Sequence, residues 1–408
     1  MSNETKSYIS GALYNAGFMF CTGAIVQAFF LQIGFSEHQV YLYNSLIQMA
    51  QVFMMVLMIF LSPRIKKVKQ VMSVSYMSIT AIAIILLVGA LSPSLVNNIF
   101  VTILFAVSVI CNLGVGVYMV LAYCLPYYTI DMSRYARFLS LQMVFTGATT
   151  FALSSLHTFI VSKFSYMSAM ACFFAFAIVC FVLASAFCFS MKEKSDAEGA
   201  RRSSKEDYIA VFKNKDTYIL LLPNFTRGLA GGIIAVITVI AISTAILDEQ
   251  TSSYINIVMQ VGLFAGNLLY AAYCKKMSTI RVLLISTLGA SLFLPICLSV
   301  GTVGFLLVFF VAYFFKMIMD TAIPVIVTEI IPKEQIGAYT SIRMLVFTGA
   351  QAIAALLITP IVSVIGYVGL LIFAAIMQLT CGVVYCIVAK IRKKEAASRE
   401  LQTCDTKE

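Results

Sequence analysis

The chain has 408 residues, of which 61% are apolar and 11% are charged, and its formal net charge is +10. Soluble globular domains contain about 45–50% apolar and about 25% charged residues, so this composition excludes a soluble enzyme or binding domain and indicates a protein that spans a membrane. The placement of the basic residues, described below, also argues against nucleic acid as the reason for the positive charge.

Apolar runs of about 20 residues, enough to cross a hydrocarbon core of ~30 Å as helix, recur about twelve times. Helices are expected because lipid offers no partners to free backbone N–H and C=O groups. The first run has no clear cleavage site and is predicted to be a retained span rather than a signal peptide. The sequence therefore predicts an all-α polytopic membrane protein with spans at residues 8–33, 40–61, 71–91, 98–124, 137–161, 166–190, 218–246, 252–274, 279–301, 303–328, 337–364 and 366–391.

The basic residues predict the orientation of these spans. If the spans alternate in direction, every Lys and Arg outside them falls on one side of the membrane except Lys163. Positively charged loops stay in the cytoplasm, so both termini are predicted to be cytoplasmic. The protein is therefore expected in the cell membrane, with no nucleic-acid partner.

The domain organisation follows from the longest internal polar segment, which comes after the sixth span. It divides the chain into a six-helix bundle at 1–190, a cytoplasmic linker at 191–217, a second six-helix bundle at 218–391 and a cytoplasmic tail at 392–408.

The pentapeptide VFTGA occurs in the fifth predicted span, at residues 144–148, and again in the eleventh, at 346–350. This repeat predicts that the two bundles are copies of one design. We interpret its glycines, Gly147 and Gly349, as small residues that let helices pack closely.

A second correspondence supports the same duplication. Asn44 and Gln48 in the second span match Asn256 and Gln260 in the eighth, and a basic turn follows each pair. Parallel repeats of this kind are related by a pseudo-two-fold axis along the membrane normal, around which one half rocks against the other.

The two basic turns, LSPRIKKVKQ and AYCKKMSTIR, stand where the major facilitator superfamily usually has a Gly-x-x-x-Asp-Arg-x-Gly-Arg-Arg turn. With the plan of six spans, a loop and six spans, the chain resembles this superfamily over essentially its whole length. The resemblance implies that spans 1, 4, 7 and 10 line a central cavity and that Arg64 and Lys276, in the turns, take part in gating. The basic residues of the motif are present, whereas its aspartate is not.

Four charged residues lie inside predicted spans and away from the span ends: Arg227, Lys316, Asp320 and Arg343. A charge at mid-membrane costs ~2.5–3.5 kcal/mol or more, so each is a functional candidate. Lys316 and Asp320 are one turn apart and form either a structural ion pair or a functional one, in which Lys316 binds substrate and Asp320 carries a proton. If Lys316 satisfies Asp320, Arg227 has no acidic partner. In that case Arg227 either binds an anionic group of the substrate, or is solvated in a vestibule or bonded to backbone. The third alternative is that Arg227 itself pairs with Asp320. Arg343, near the inner membrane face, is expected to snorkel to the surface in a structural or gating role.

Uncharged polar residues in the spans suit hydroxyl or amide groups of a solute, although each alone also fits a hydrogen bond between helices. His157 is predicted near the outer interface, with a proton relay as the alternative. The candidates for substrate contact are Asn15, Gln27, Gln48, Asn112, Tyr118, Asn224 and Gln260.

The expected function is secondary active transport of a small polar, anionic solute by alternating access, with the coupling ion, H⁺ or Na⁺, left open. The alternatives are a multidrug efflux antiporter and a transporter-like receptor. Efflux is disfavoured because span 5 lacks the proline of the Gly-Pro motif that such antiporters of the superfamily tend to carry. No phosphate-binding glycine loop is present, and the eleven cysteines form no C-x-x-C or cysteine–histidine cluster. We expect a monomer in the lipid bilayer, without enzymatic activity, cofactor or metal.

Overall fold

The structure is a computed structural model, and the residues it describes form helices joined by turns, with no strand among them. It describes residues 1–61, 65–122, 125, 129, 135–193, 205–213, 219–248, 253–273, 276–331 and 335–405.

Eight α-helices belong to the described part of the half that the sequence predicts as N-terminal. They are α1 (Asn3–Cys21), α2 (Gly23–Gln32), α3 (Glu37–Leu61), α4 (Val68–Ser78), α5 (Thr80–Leu91), α6 (Asn98–Leu121), α7 (Tyr135–Lys163) and α8 (Tyr166–Phe189).

A short helix, α9 (Lys205–Lys213), lies in the predicted linker and packs against the last helix of the chain. The C-terminal half then contains α10 (Leu221–Ile234), α11 (Ile237–Ser243), α12 (Ser253–Tyr273), α13 (Thr279–Phe293), α14 (Thr302–Ile330) and α15 (Ile336–Asp405).

Nine helices in the described part are long and apolar enough to cross a membrane, and the bent pair α10 and α11 makes up to ten. The twelve predicted spans exceed this number by two. The eighth is the shorter apolar helix Tyr254–Tyr270, and the last two follow one another directly, with a kink at Gly366 between them. The all-α polytopic fold is confirmed, whereas the number twelve stays a prediction.

The joined helix α15 turns sharply at Gly366. Its apolar part, Ala338–Arg392, has 55 residues, more than twice the ~20 that span a bilayer. Gly366 has φ 68° and ψ 178°, a left-handed backbone conformation that glycine adopts without strain. This residue therefore marks the return between the predicted eleventh and twelfth spans.

The contacts between the two halves follow the predicted duplication. Helix α3 packs against α15, and α7 packs against α12. The sequence repeats relate α3 to α12 and α7 to α15, so exchanging the two copies converts one contact into the other. This exchange is what a pseudo-two-fold axis between the halves requires.

The halves also meet at the membrane face opposite the chain termini, where α2 contacts α11. Apolar residues from both halves are fully buried there, among them Phe29, Phe30, Val239 and Ile240. The sequences of these short helices are apolar on all sides, as expected for segments enclosed by protein.

Hydrogen bonds join the halves near that face. Gln27 Nε2 donates to the carbonyl of Ala235 at 2.9 Å, and Ser45 Oγ donates to the carbonyl of Ala352 at 2.9 Å. The Tyr367 hydroxyl donates to the Glu37 carboxylate, and His38 Nδ1 lies 3.3 Å from Thr359 Oγ1. This conformation is therefore closed at the face opposite the termini.

Candidate functional site

Three charged side chains meet in the interior of the C-terminal half. Asp320 Oδ1 lies 2.8 Å from Arg227 Nε, and Asp320 Oδ2 lies 2.7 Å from Lys316 Nζ. Arg227 comes from α10, whereas Lys316 and Asp320 are one turn apart on α14. The side chains are only 12–17% exposed. We call Arg227, Lys316 and Asp320 the ion triad.

The ion triad decides between alternatives that the sequence left open. Arg227 pairs with Asp320, which was one of the three alternatives for this residue, and Lys316 pairs with the same carboxylate. The two cations share it because each of its oxygens can accept from a different donor. The triad as a whole carries one net positive charge.

Aromatic rings complete the surroundings of both cations. Arg227 Cζ lies 4.8 Å from the ring centre of Phe347 on α15, and Lys316 Nζ lies 5.3 Å from that of Tyr313 on its own helix. Cations over ring faces gain about 0.5–2 kcal/mol. Both contacts hold the cations in place in addition to their attraction to Asp320.

Glycines bring α10 close enough to α15 for these contacts. A Cβ on Gly232 would lie 2.7 Å from the carbonyl oxygen of Gln351 and 2.8 Å from Ala354 Cβ, and one on Gly231 would lie 3.1 Å from Gln351 Nε2. The sequence RGLAGG therefore allows the two helices to approach without side chains between them.

Asn224, predicted to bind substrate, is fully buried one turn before Arg227. Its Nδ2 donates to the hydroxyl of Tyr385 at 2.7 Å and of Tyr339 at 3.2 Å, and to the carbonyl of Leu220 at 2.6 Å. Both tyrosines belong to α15. In this conformation, Asn224 fastens α10 to α15 and has no surface on which a solute can bind.

Arg343, on α15, was expected to reach the membrane surface. Its Nε and Nη1 are instead buried without a hydrogen-bond partner, while the residue as a whole is partly exposed. Snorkelling would have placed these nitrogens in water, so that expectation is wrong for this conformation.

Two of the predicted substrate ligands in the N-terminal half are buried and bonded within the protein. Gln27 is 2% exposed and holds Ala235 across the closed face. Asn112, also 2% exposed, accepts at 2.7 Å from Gln51 Nε2 and donates to the Ser108 carbonyl. In this conformation, the side chains of Gln27 and Asn112 are therefore engaged in hydrogen bonds between or within helices and are not free to bind a solute.

The other uncharged candidates keep part of their surface accessible. Asn15 Nδ2 donates to the carbonyl of Gly11 at 2.8 Å, and the Tyr118 ring packs 4.5 Å from that of Tyr14. Gln48 Oε1 is buried without a partner, and Gln260 is half-buried on α12. Their predicted contact with substrate stays a prediction.

The residues predicted for gating and packing are scattered. Arg64 lies outside the described residues, and Lys276 is exposed in the turn before α13. A Cβ on Gly147 would meet nothing within 4 Å, and one on Gly349 would meet only Val52 Cγ2 at 3.9 Å. The prediction that these two glycines lie at close contacts between helices is therefore wrong for this conformation.

The His157 side chain is fully buried within the protein. Its Nε2 lies 3.4 Å from Met170 Sδ, and its ring centre lies 4.9 Å from that of Phe173. An aromatic and sulfur environment therefore encloses it, and its position near the outer interface stays a prediction.

Sequence reasoning missed the hydroxyl pair Tyr339 and Tyr385. The pair encloses Asn224 in an otherwise apolar cluster. One signal was available: Tyr339, Arg343 and Phe347 repeat every four residues and therefore share one face of a helix.

Comparisons with known proteins agree with the fold. The family model described as Major Facilitator Superfamily matches residues 220–403. The nucleoside transporter NupG in a substituted form is 12% identical with a TM-score of 0.70, over 95% of this chain and 100% of that one. The unsubstituted NupG is 13% identical with a TM-score of 0.68, over 95% and 99% of the two chains.

A third solved structure, a D-xylose-proton symporter, is 13% identical with a TM-score of 0.69 and covers 94% of this chain and 96% of that one. No curated protein matches at the level of sequence. At identities this low, the three structures establish the fold and leave the solute to be argued from the site.

Proposed function

With the resemblance to the major facilitator superfamily confirmed by the family match in the C-terminal half and by the fold along the chain, we propose that this protein carries a small, polar, anionic solute. It does so as a secondary active transporter by alternating access. The ion triad and the adjacent part of α15 form the proposed substrate region.

The observation that carries this proposal is the balance of charge. Within the described interior of the C-terminal half, one carboxylate, Asp320, pairs with Arg227 and Lys316. A third cation, Arg343, has no ion pair among the described residues. Cations removed from water are stable only when paired and hydrogen-bonded. An anionic solute supplies the missing negative charge each time that it binds.

Asp320 links solute binding to a proton in this proposal. Protonation of Asp320 in the present geometry would sacrifice both of its ion pairs. A solute anion bound beside the triad lowers that obstacle, because a second negative charge close to Asp320 disfavours its charged form. Anion and proton would then enter the site together, and Na⁺ is the alternative partner for the carboxylate.

The closed face agrees with one state of an alternating-access cycle. Contacts such as Gln27 with Ala235 join the halves opposite the termini. If the basic loops lie in the cytoplasm, as positively charged loops do, this state is closed to the outside.

The function is tested by uptake into proteoliposomes that contain the purified protein. We expect small carboxylates or phosphate esters to accumulate when the external pH is lowered, and uncharged nucleosides and sugars not to accumulate. A sodium gradient that drives uptake at constant pH would identify Na⁺ as the coupling ion. Accumulation of uncharged solutes alone would overturn the anionic class and favour solutes like those of the structural neighbours, whose names specify a nucleoside and D-xylose.

A thermal-shift screen of the detergent-purified protein selects the solute for that assay. A ligand at 100 times its dissociation constant stabilises the folded state by ~2.7 kcal/mol. Lipophilic cations are included in the screen because stabilisation by them alone would support multidrug efflux instead.

A further inference from the structure

We propose that Arg343 is the residue that binds the anionic group of the solute, while Arg227 and Lys316 hold Asp320. This inference rests on the proposed function and assigns the parts of the site. It moves Arg343 from a structural role, which the sequence suggested, to substrate binding.

The first observation is that Arg343 is the cation without a counter-ion in the described site. Arg227 and Lys316 each make an ion pair with Asp320. Arg343 makes none among the described residues, and its buried Nε and Nη1 have no hydrogen-bond partner. An orphaned buried donor costs about 1–3 kcal/mol, and more when it is charged, so this arrangement is unfavourable unless a ligand completes it.

The second observation is the register of α15, which places Arg343 beside the ion triad. Tyr339 bonds Asn224 on α10, and Phe347 lies against Arg227 on α10. Residues four apart lie on one helical face, so Arg343 stands between two residues that both touch α10. Its Cα is ~6 Å along the helix axis from that of Phe347.

A third observation connects Arg343 to the triad through the second half of α15. Buried Cys381 lies within electrostatic range of Arg227, Asp320 and Arg343. Tyr339 and Tyr385 also lie within electrostatic range of Arg343, and both are hydroxyls without formal charge in their ordinary state. A carboxylate or phosphate brought beside Arg343 would therefore meet a cation that has no ion pair among the described residues, with hydroxyl groups nearby.

The geometry of guanidinium defines the class of ligand. Its planar fork binds a carboxylate or a phosphate with two parallel hydrogen bonds, which the point charge of a lysine cannot do. The partial exposure of Arg343 leaves a route by which such a group can approach. The proposed ligand group is a compact oxyanion, carried by a carboxylic acid or by a phosphate monoester.

The test compares Arg343→Gln, Arg343→Lys and Arg227→Gln with wild type, and uses Lys276→Gln as a matched control. Lys276 is an exposed cation in the same half. Binding of small carboxylates and of inorganic phosphate is measured by titration calorimetry in detergent, and folding is checked by size-exclusion chromatography. We expect Arg343→Gln to weaken oxyanion binding at least tenfold, Arg343→Lys to weaken it less, and Lys276→Gln to leave it unchanged. The arm that binds more tightly, carboxylate or phosphate, identifies the source of the group.

Thermal stability without ligand provides a second readout, which separates binding from structure. If the role of Arg343 is to bind the ligand, the Arg343→Gln variant unfolds at the same or a higher temperature than wild type, because the substitution removes an unpaired charge. A lower unfolding temperature with unchanged oxyanion affinity would overturn the inference and assign Arg343 to the scaffold. Loss of binding in Arg227→Gln but not in Arg343→Gln would overturn it as well, while leaving anion transport intact. Wild type that binds no oxyanion would overturn the proposed function together with the inference.

Discussion

The two halves of the molecule share a plan and differ in their chemistry. In the N-terminal half, uncharged polar groups bond one another in the interior, as in the bond from Gln51 to Asn112 and the paired hydroxyls of Ser73 and Ser185. In the C-terminal half, the ion triad and Arg343 occupy the interior. The duplication that the sequence preserves therefore concerns helix packing, whereas the charges belong to one copy.

This difference gives the halves separate tasks in the proposed cycle. A neutral half can move past a bound solute without rearranging ion pairs. In the charged half, an entering solute supplies the counter-ion that Arg343 lacks among the described residues and adds a negative charge close to Asp320. The predictions below disturb this asymmetry, beginning with the change that removes it most completely.

Asp320→Asn is expected to have the largest effect. It leaves Arg227 and Lys316 close together without a carboxylate, and breaking a buried ion pair costs about 3–5 kcal/mol. We expect a clear fall in the thermal unfolding temperature in detergent and loss of proton-driven uptake. Glu206→Gln, at an exposed acidic residue, is the control.

A second substitution tests the cause of that instability. In the double variant Asp320→Asn with Lys316→Gln, one uncompensated cation is gone, so part of the lost stability should return. An Asp320→Asn protein as stable as wild type would show that the triad is not an ion-paired unit.

Glycines of the two halves provide the next comparison. Gly232→Ala forces its Cβ to within 2.7 Å of a carbonyl oxygen on α15, and overpacking of this kind destabilises by about 1–3 kcal/mol. Gly147→Ala places its Cβ in open space and gains up to ~1 kcal/mol in helix propensity. Thermal unfolding should therefore move in opposite directions for the two variants. Equal shifts would contradict the difference in packing between these two glycines.

Tyr367→Phe is expected to have the smallest effect, because it removes one hydrogen bond between the halves. The lost bond to Glu37 is worth about 0.5–1.5 kcal/mol, which shifts the population away from the closed face. Hydrogen exchange measured by mass spectrometry should become faster in α2 and α11 and stay unchanged in α8. The control is Tyr254→Phe, at an exposed tyrosine. Unchanged exchange in α2 would show that this bond does not hold the face closed.

Much of the fold was predictable because span length and charge placement are local properties of the sequence. The pairing of Lys316 with Asp320 was readable for the same reason, since both lie on one turn of helix. The pairing of Arg227 with Asp320 was not, because it depends on how α10 rotates and tilts against α14. The burial of Gln27 and His157 was also beyond the sequence, as both are enclosed by side chains from other helices.

The junction between α10 and α11 bends by 41°, and its carbonyl at Ala235 accepts the hydrogen bond from Gln27. When the halves separate at this face, that oxygen and the amide of Gln27 both lose their partner. Both groups then need water as a hydrogen-bond partner, because a polar group such as a peptide oxygen without a partner in an apolar environment costs several kcal/mol. Hydration is therefore part of the opening step itself: water has to reach the bend as the two helix tips part, and osmotic stress, which withdraws water, should slow opening of this face more than its closure.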